Sequence, residues 1–330
     1  MTDRLLPDGV GNTPLIEVEG VFAKLECMNP CGSVKDRIAS YILTEAKRRG
    51  ELKAGQAIVE ATSGNTGISL AYFARMMGHP ITIVMPEHMT NERKEIIRKL
   101  GAELILCSEE GSFAEAAAIR DRIAAETGAY NPDQFSNSLN VECHRLTTGQ
   151  EILSQLPKPV ATPIAFVAGV GTGGTLIGVG EALKQAVDEV FVVAVEPKEA
   201  AVMSGNTSGT HGIFGIGDGF IPEIAAGDGE RINPLISSVE TVSTADAMSA
   251  AESLRKVHSF CVGVSSGANF LVAQRMRERF ATVVTVFPDG HQKYLSFGLS
   301  APVHATCPYF SHCVGNELNR LLGEIAGEPP

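Results

Sequence analysis

The chain has little positive charge. Lysine and arginine number 27 against 38 acidic residues, a net charge of -11 over 330 residues, and the cations are scattered. Nucleic acid and anionic membrane surfaces are therefore excluded as expected partners. No apolar run reaches the length of a membrane span. The first residues, Met1-Thr2-Asp3-Arg4-Leu5-Leu6-Pro7, are too short and too polar a stretch for a signal peptide. Seven cysteines, an odd number without framework spacing, fit a reducing compartment, and a cytoplasmic location is expected. There is no internal repeat and no low-complexity tract. What is present is a hydrophobic content of 44%, ample for a packed core, in a length suited to one large domain or two ordinary ones.

Short apolar runs alternate with helical periodicity. Phe22–Glu26 reads as a strand after an extended segment from Gly11 to Ile16. Lys35–Arg49 reads as a helix stopped by Gly50. Strands at Ala57–Glu60, Ile81–Val84 and Glu103–Leu106 alternate with helices at Gly64–Met77, Asn91–Leu100 and Ser112–Glu126. After a break at Tyr130-Asn131-Pro132-Asp133 the pattern restarts. A helix at Val141–Gln155, a strand at Ile164–Ala168, a helix at Gly174–Ala186 and a strand at Val190–Val195 follow. Residues 201–232 are glycine-rich and irregular, long enough to suggest a functional loop. Helices at Thr244–Val257 and Ser266–Phe280 and a strand at Val283–Phe287 complete the pattern, and the chain beyond His304 reads as an appendage. This order implies parallel, doubly wound α/β domains with a ligand cleft at strand carboxyl ends.

Four stretches carry chemistry. In Met28-Asn29-Pro30-Cys31-Gly32-Ser33-Val34-Lys35-Asp36-Arg37-Ile38, Ser33 is placed to cap a helix whose first turn holds Lys35. A cation sits badly at the positive end of a helix dipole. A neutral amine, or one tied up as an imine, fits better, which makes Lys35 a candidate nucleophile, although the window alone reads more readily as a solvated surface lysine. Gly169-Val170-Gly171-Thr172-Gly173-Gly174-Thr175 follows a strand and opens a helix, as a phosphate cradle does. Gly169, Gly171 and Gly174 also satisfy a dinucleotide fingerprint, with Glu196 as the ribose acid, so an NAD-binding oxidoreductase stays open at this point. In Glu60-Ala61-Thr62-Ser63-Gly64-Asn65-Thr66-Gly67, Thr62, Ser63 and backbone N–H groups could hold a carboxylate, and Asn65 could donate to a phenolate-type oxygen. In Gly263-Val264-Ser265-Ser266, a serine hydroxyl could meet a ring nitrogen. Each of the last two also reads as a plain helix cap. Together the four describe pyridoxal phosphate better than NAD, which needs no lysine.

With Gly-Asn-Thr-Pro-Leu at 11–15 and Gln134-Phe135-Ser136-Asn137 added, the chain resembles the cysteine synthase (O-acetylserine sulfhydrylase) and cystathionine β-synthase branch of the fold-type II pyridoxal-phosphate enzymes, from Asn12 to about Ser296. Met85-Pro86-Glu87 with Asn91-Glu92-Arg93, and Thr147-Thr148-Gly149, also fit. The resemblance implies a tryptophan synthase β-like pair of doubly wound domains around the cofactor. Residues 12–35 plus 144–300 are the large cofactor domain, 36–143 a smaller mobile domain, and 301–330 a C-terminal extension. It implies that Lys35 carries the cofactor as an imine, that Asn65 bonds its ring oxygen, and that Ser265 bonds its ring nitrogen. Gly171, Thr172, Gly173, Gly174 and Thr175 hold its phosphate. Thr62, Ser63, Asn65 and Gln134 bind the substrate carboxylate, with Gly217 on the loop facing the substrate side chain. No metal is implied.

The implied reaction is L-cysteine synthesis by β-replacement. Lys35 removes the α-proton, acetate leaves Cβ, sulfide adds, and Lys35 returns the proton. The neutral hydroxyl of Ser265 gives a milder electron sink than a carboxylate, which suits elimination. Cystathionine formation from serine and homocysteine, or another serine-derivative β-replacement with a different nucleophile, is the alternative within the class. A homodimer, and serine acetyltransferase as a possible partner, are implied as well. No regulatory domain is expected after the core. Asp218 stands where many such enzymes carry a small residue. An acid there repels an anionic leaving group such as phosphate, and attracts a cationic group on a second substrate, such as the amino group of homocysteine; a solvent-facing turn residue is the plain alternative. Cys31 reads as packing, and Cys307, His312 and Cys313 fall one ligand short of a zinc set.

Overall fold

Two sheets form, one mostly and one wholly parallel. The computed structural model describes residues 5–108, 112–227 and 232–299. The expected extension, with Cys307, His312 and Cys313, lies outside the described residues. Strands β1 (Leu15–Val18), β2 (Val21–Leu25), β6 (Ile164–Gly169), β7 (Val190–Pro197), β8 (Ile236–Val242) and β9 (Thr282–Phe287) make one sheet in the order β1-β2-β9-β6-β7-β8. All its pairs are parallel except β1 with β2. Strands β3 (Ile58–Ala61), β4 (Ile81–Pro86) and β5 (Glu103–Cys107) make a second, all-parallel sheet in that order.

Both sheets are covered on two faces, as parallel sheets must be. Val21, Ala165, Val193 and Val283 pack under α8 (Thr244–His258) and α9 (Val264–Met276); Phe166, Val192 and Val284 pack on the other face with α6 (Thr148–Gln155) and α7 (Gly174–Ala186). The small sheet is covered by α1 (Lys35–Arg49), α2 (Asn65–Met77) and α3 (Asn91–Lys99) on one side and by α4 (Ser112–Thr127) on the other. Ile38, Tyr41 and Ile42 of α1 meet Leu139 and Cys143 of α5 (Ser138–Leu146) in a separate buried seam.

Three elements differ from the sequence reading. The single helix expected at Val141–Gln155 is two, α5 and α6, broken at Thr147 with φ -119° and ψ -76°. The Thr147 hydroxyl donates to the Cys143 carbonyl at 2.6 Å beside the Thr147 N–H at 3.0 Å, the back-bonding by which threonine bends a helix. Strand β8 lacks an apolar run. It is an edge strand with exposed Ser237 and Ser238, so only one neighbour and one face shape its composition. Ser33 stands one residue outside the expected cap, because Val34 already has helical angles; its Oγ still accepts from the Lys35 N–H at 3.3 Å.

Candidate active site

The carboxyl ends of β2, β9 and β6 lie side by side, and each feeds the same cleft. β2 leads through Glu26–Met28 to Lys35, β6 leads to the glycine cup, and β9 leads to Pro288 and Asp289. The small sheet contributes from the opposite side, where β3 runs into Thr62, Ser63 and the start of α2. The cleft spans about 750 Å³ when the open solvent at its mouth is counted. Lys35, Ser63, Asn65, Gln134, Gly171, Thr172, Gly173, Thr175 and Ser265 all line it, together with Asp218. Thr62, Gly174 and Gly217 do not line it. Thr62 and Gly174 stand directly behind, where the Thr62 hydroxyl accepts from Gly64 N–H at 3.0 Å. Gly217 donates to the Val170 carbonyl and its own carbonyl faces His211, so it holds a loop in place.

Lys35 is half-buried in the first turn of α1, and burial lowers its pKa to about 8 against the opposing pull of Asp218 and Glu60. Its Nζ donates to Thr172 Oγ1 at 3.4 Å, in the glycine cup. Asn140 Nδ2 donates to the same oxygen at 2.9 Å, so the Thr172 hydroxyl hydrogen is left for a ligand. The cup is glycine for physical reasons. A Cβ on Gly171 would stand 2.2 Å from the Gly215 carbonyl, and Gly173 has φ +87°. The N-terminus of α7 adds partial positive charge below it. Thr175 Oγ1 pairs with His144 Nε2 at 3.2 Å, and His144 Nδ1 pairs with Thr148 Oγ1 at 2.9 Å. Burial holds the His144 pKa well below its ordinary value, so this tether is neutral.

On the small-sheet side, the Gln134 carbonyl oxygen accepts from Thr66 Oγ1 at 2.6 Å and its amide donates to the Ala61 carbonyl at 3.3 Å. Glu60, fully buried beneath this loop, accepts from the Ala61 and Gln134 backbone N–H groups. Burial raises its pKa to about 7, opposed by Arg120. Ser265 lies in the first turn of α9 at 3% exposure. Asp218 faces the cleft in a glycine-flanked turn. Burial raises its pKa, and His211 and Lys35 oppose the rise.

An amine with a depressed pKa, a glycine cup at a helix N-terminus, an amide and a neutral serine hydroxyl converge on one cavity. That donor set fits a phosphorylated aldehyde with a ring oxygen and a ring nitrogen, which is pyridoxal phosphate. The dinucleotide reading fails at Glu196. Its two carboxylate oxygens accept from Met203 N–H, Ser204 N–H and Ser204 Oγ at 1% exposure, which leaves nothing for a ribose.

Arg93, Phe214, Asp289 and Lys293 went unassigned in the sequence reading. Arg93 and Phe214 line the cleft, and Asp289 and Lys293 stand behind Asn65. The Pro288-Asp289-Gly290 turn at the carboxyl end of an apolar strand was the available signal, because ligands gather at such ends.

The pyridoxal-phosphate dependent enzyme family matches residues 6–289. A cysteine synthase of Staphylococcus aureus is 41% identical over 300 residues, covering 87% of this chain and 94% of its own. The O-acetylserine dependent cystathionine β-synthase from Helicobacter pylori superposes with a TM-score of 0.83 at 33% identity, over 89% of this chain and 97% of that one. The cysteine synthase from Entamoeba histolytica gives a TM-score of 0.81 at 31% identity, over 100% and 97%. With the cleft's donor set and these matches agreeing, the chain belongs to the pyridoxal-phosphate dependent enzymes of the cysteine synthase and cystathionine β-synthase branch.

Proposed function

We propose that this enzyme makes L-cysteine from O-acetyl-L-serine and sulfide. The observation that carries the reading is Lys35, facing the glycine cup on one side and the Ser63–Asn65 loop on the other, with its pKa lowered by burial to about 8. Pyridoxal phosphate supplies the electron sink when bound. The cup residues Gly171, Thr172, Gly173, Gly174 and Thr175 take its phosphate, Asn65 its ring oxygen and Ser265 its ring nitrogen. Ser63, Gln134 and the backbone N–H of Asn65 take the substrate carboxylate, and Thr62 holds their loop from behind. Lys35 Nζ removes the proton from the substrate Cα and later returns one, the task for which an amine with a pKa of about 8 is suited. The segment 36–143 moves against 12–35 plus 144–300 when the carboxylate binds, and excludes water from the cleft. The enzyme works as a cytoplasmic homodimer, with serine acetyltransferase a possible partner.

A second reading, cystathionine formation, draws on Asp218, whose carboxylate in the cleft suits an amino-bearing second substrate. Product analysis separates the two. Purified enzyme given O-acetyl-L-serine with equal sulfide and homocysteine is expected to yield mainly cysteine. Cystathionine in excess overturns the assignment in favour of the second reading, and neither product overturns both.

A further inference from the structure

One buried junction touches three of the four segments that bring an expected cofactor contact, those of Lys35, Asn65 and Ser265. Asp289 pairs through its backbone with Ser33, and the neighbouring Pro288 carbonyl accepts from Val34 N–H at 2.8 Å, beside Lys35. The Asp289 carbonyl accepts from Gly263 N–H at 2.9 Å, two residues before Ser265. Its side-chain Oδ2 accepts from Asn65 Nδ2 at 2.8 Å and from the Tyr294 hydroxyl at 2.6 Å. Lys293 completes the junction: Nζ donates to Asn65 Oδ1 at 2.9 Å and to the Gly32 carbonyl at 3.1 Å. Asp289, Lys293 and Tyr294 are all fully buried. Arg93, with Nη2 3.9 Å from Asp289, and Asp36 complete a set of two cations and two acids, so the cluster is buried without a large excess charge.

The chemistry of these partners leaves the Asn65 amide one orientation. An ammonium group only donates and a carboxylate only accepts. The Asn65 oxygen must therefore face Lys293 and its nitrogen Asp289. A flipped amide would set N–H against ammonium and oxygen against carboxylate, and would lose two charge-assisted hydrogen bonds. One N–H of the amide then remains, and an anionic ring oxygen needs a donor. Lys293 also polarises the amide through its oxygen, which strengthens that donor.

We propose that Lys293 and Asp289 are positioning residues that lock the Asn65 amide with its free N–H toward the ring oxygen of pyridoxal phosphate, and so favour the ionised form of that oxygen. This rests on the cofactor role given to Asn65 above and deepens it. A purely structural pair would alter stability alone. A positioning pair alters the cofactor's visible absorption, because the ionised ring oxygen absorbs at longer wavelength than the protonated one.

The test compares absorption spectra of the purified holoenzyme, Asn65→Ala, Lys293→Met and Lys293→Arg at one pH, with thermal unfolding alongside. Asn65→Ala and Lys293→Met are each expected to lower the ratio of the long- to the short-wavelength band by about tenfold, the usual effect of a lost charge-assisted contact. Lys293→Arg, which keeps a donor cation, restores most of the ratio. If Asn65→Ala lowers the ratio and Lys293→Met leaves it unchanged, the positioning role is overturned and the Asn65 contact stands. If neither lowers it, both are overturned. Should Lys293→Met fail to fold, Asp289→Asn carries the same expectation, and an unchanged ratio there refutes the proposal.

Discussion

Replacing Glu60 with glutamine should stabilise the protein at pH 8 and change it little at pH 4. Glu60 lies next to last in β3 with no exposure, and burial opposes its charge more than Arg120 Nη1, 3.4 Å away, favours it. Its pKa therefore rises from the ordinary 4.5 to about 7. Within that interval the folded protein holds a proton that the unfolded chain has released. Stability is thus highest below pH 4.5 and falls as pH rises, until the loss is complete at about pH 7. At about 1.4 kcal/mol per pH unit, the interval amounts to about 3 kcal/mol. Glutamine removes this penalty, and its carbonyl oxygen can still accept from the Ala61 and Gln134 N–H groups. The lost ion pair offsets part of the gain, although Arg120 keeps Asp121 and Asp133. A net gain of about 2 kcal/mol at pH 8 is expected in urea unfolding, against none at pH 4. Because Glu60 also raises the Lys35 pKa, Glu60→Gln should move the acid limb of the activity profile to lower pH. A loss of stability at pH 8 would refute the reasoning and show that the Arg120 pairing outweighs burial.

Gly171→Ala should cost about 1–3 kcal/mol of stability and lower cofactor retention, since the added Cβ meets the Gly215 carbonyl rather than a movable side chain; unfolding and bound-cofactor absorbance measure the two effects. Arg37→Met removes the cation paired to buried Glu26 at 2.6 Å, while Glu151 keeps Lys24 at 2.8 Å, and should cost about 3 kcal/mol in denaturant unfolding. Asp218→Gly should lower kcat/KM for homocysteine relative to sulfide by about fivefold, the worth of a partly exposed charge contact of about 1 kcal/mol. A rise in that ratio would mean that Asp218 does not attract the amino group.

How much the chain revealed varied with the kind of signal. Helix α1 was legible to the residue, because its periodicity runs unbroken from Lys35 and Gly50 caps it in the left-handed region. The glycine cup was legible because only glycine tolerates its close approaches. Local patterns could not show β8, whose half-polar edge sequence is set by a single neighbour, or the break at Thr147, where a hydroxyl and an N–H share one carbonyl and the helix bends. Glu196 shows the limit of spacing arguments. It lies at the distance expected of a ribose ligand, and its carboxylate is used to close the turn at Met203 and Ser204. Asp289 and Lys293 meet Asn65 across more than two hundred residues, so their role emerges only when β9 and α2 are brought together.

The most direct test of the account is to reduce the purified holoenzyme with borohydride and locate the modified lysine by peptide mass analysis. The account predicts the pyridoxyl group on Lys35. The same group on Lys293 or Lys24, the two buried lysines outside the cup, or on no lysine at all, would contradict it.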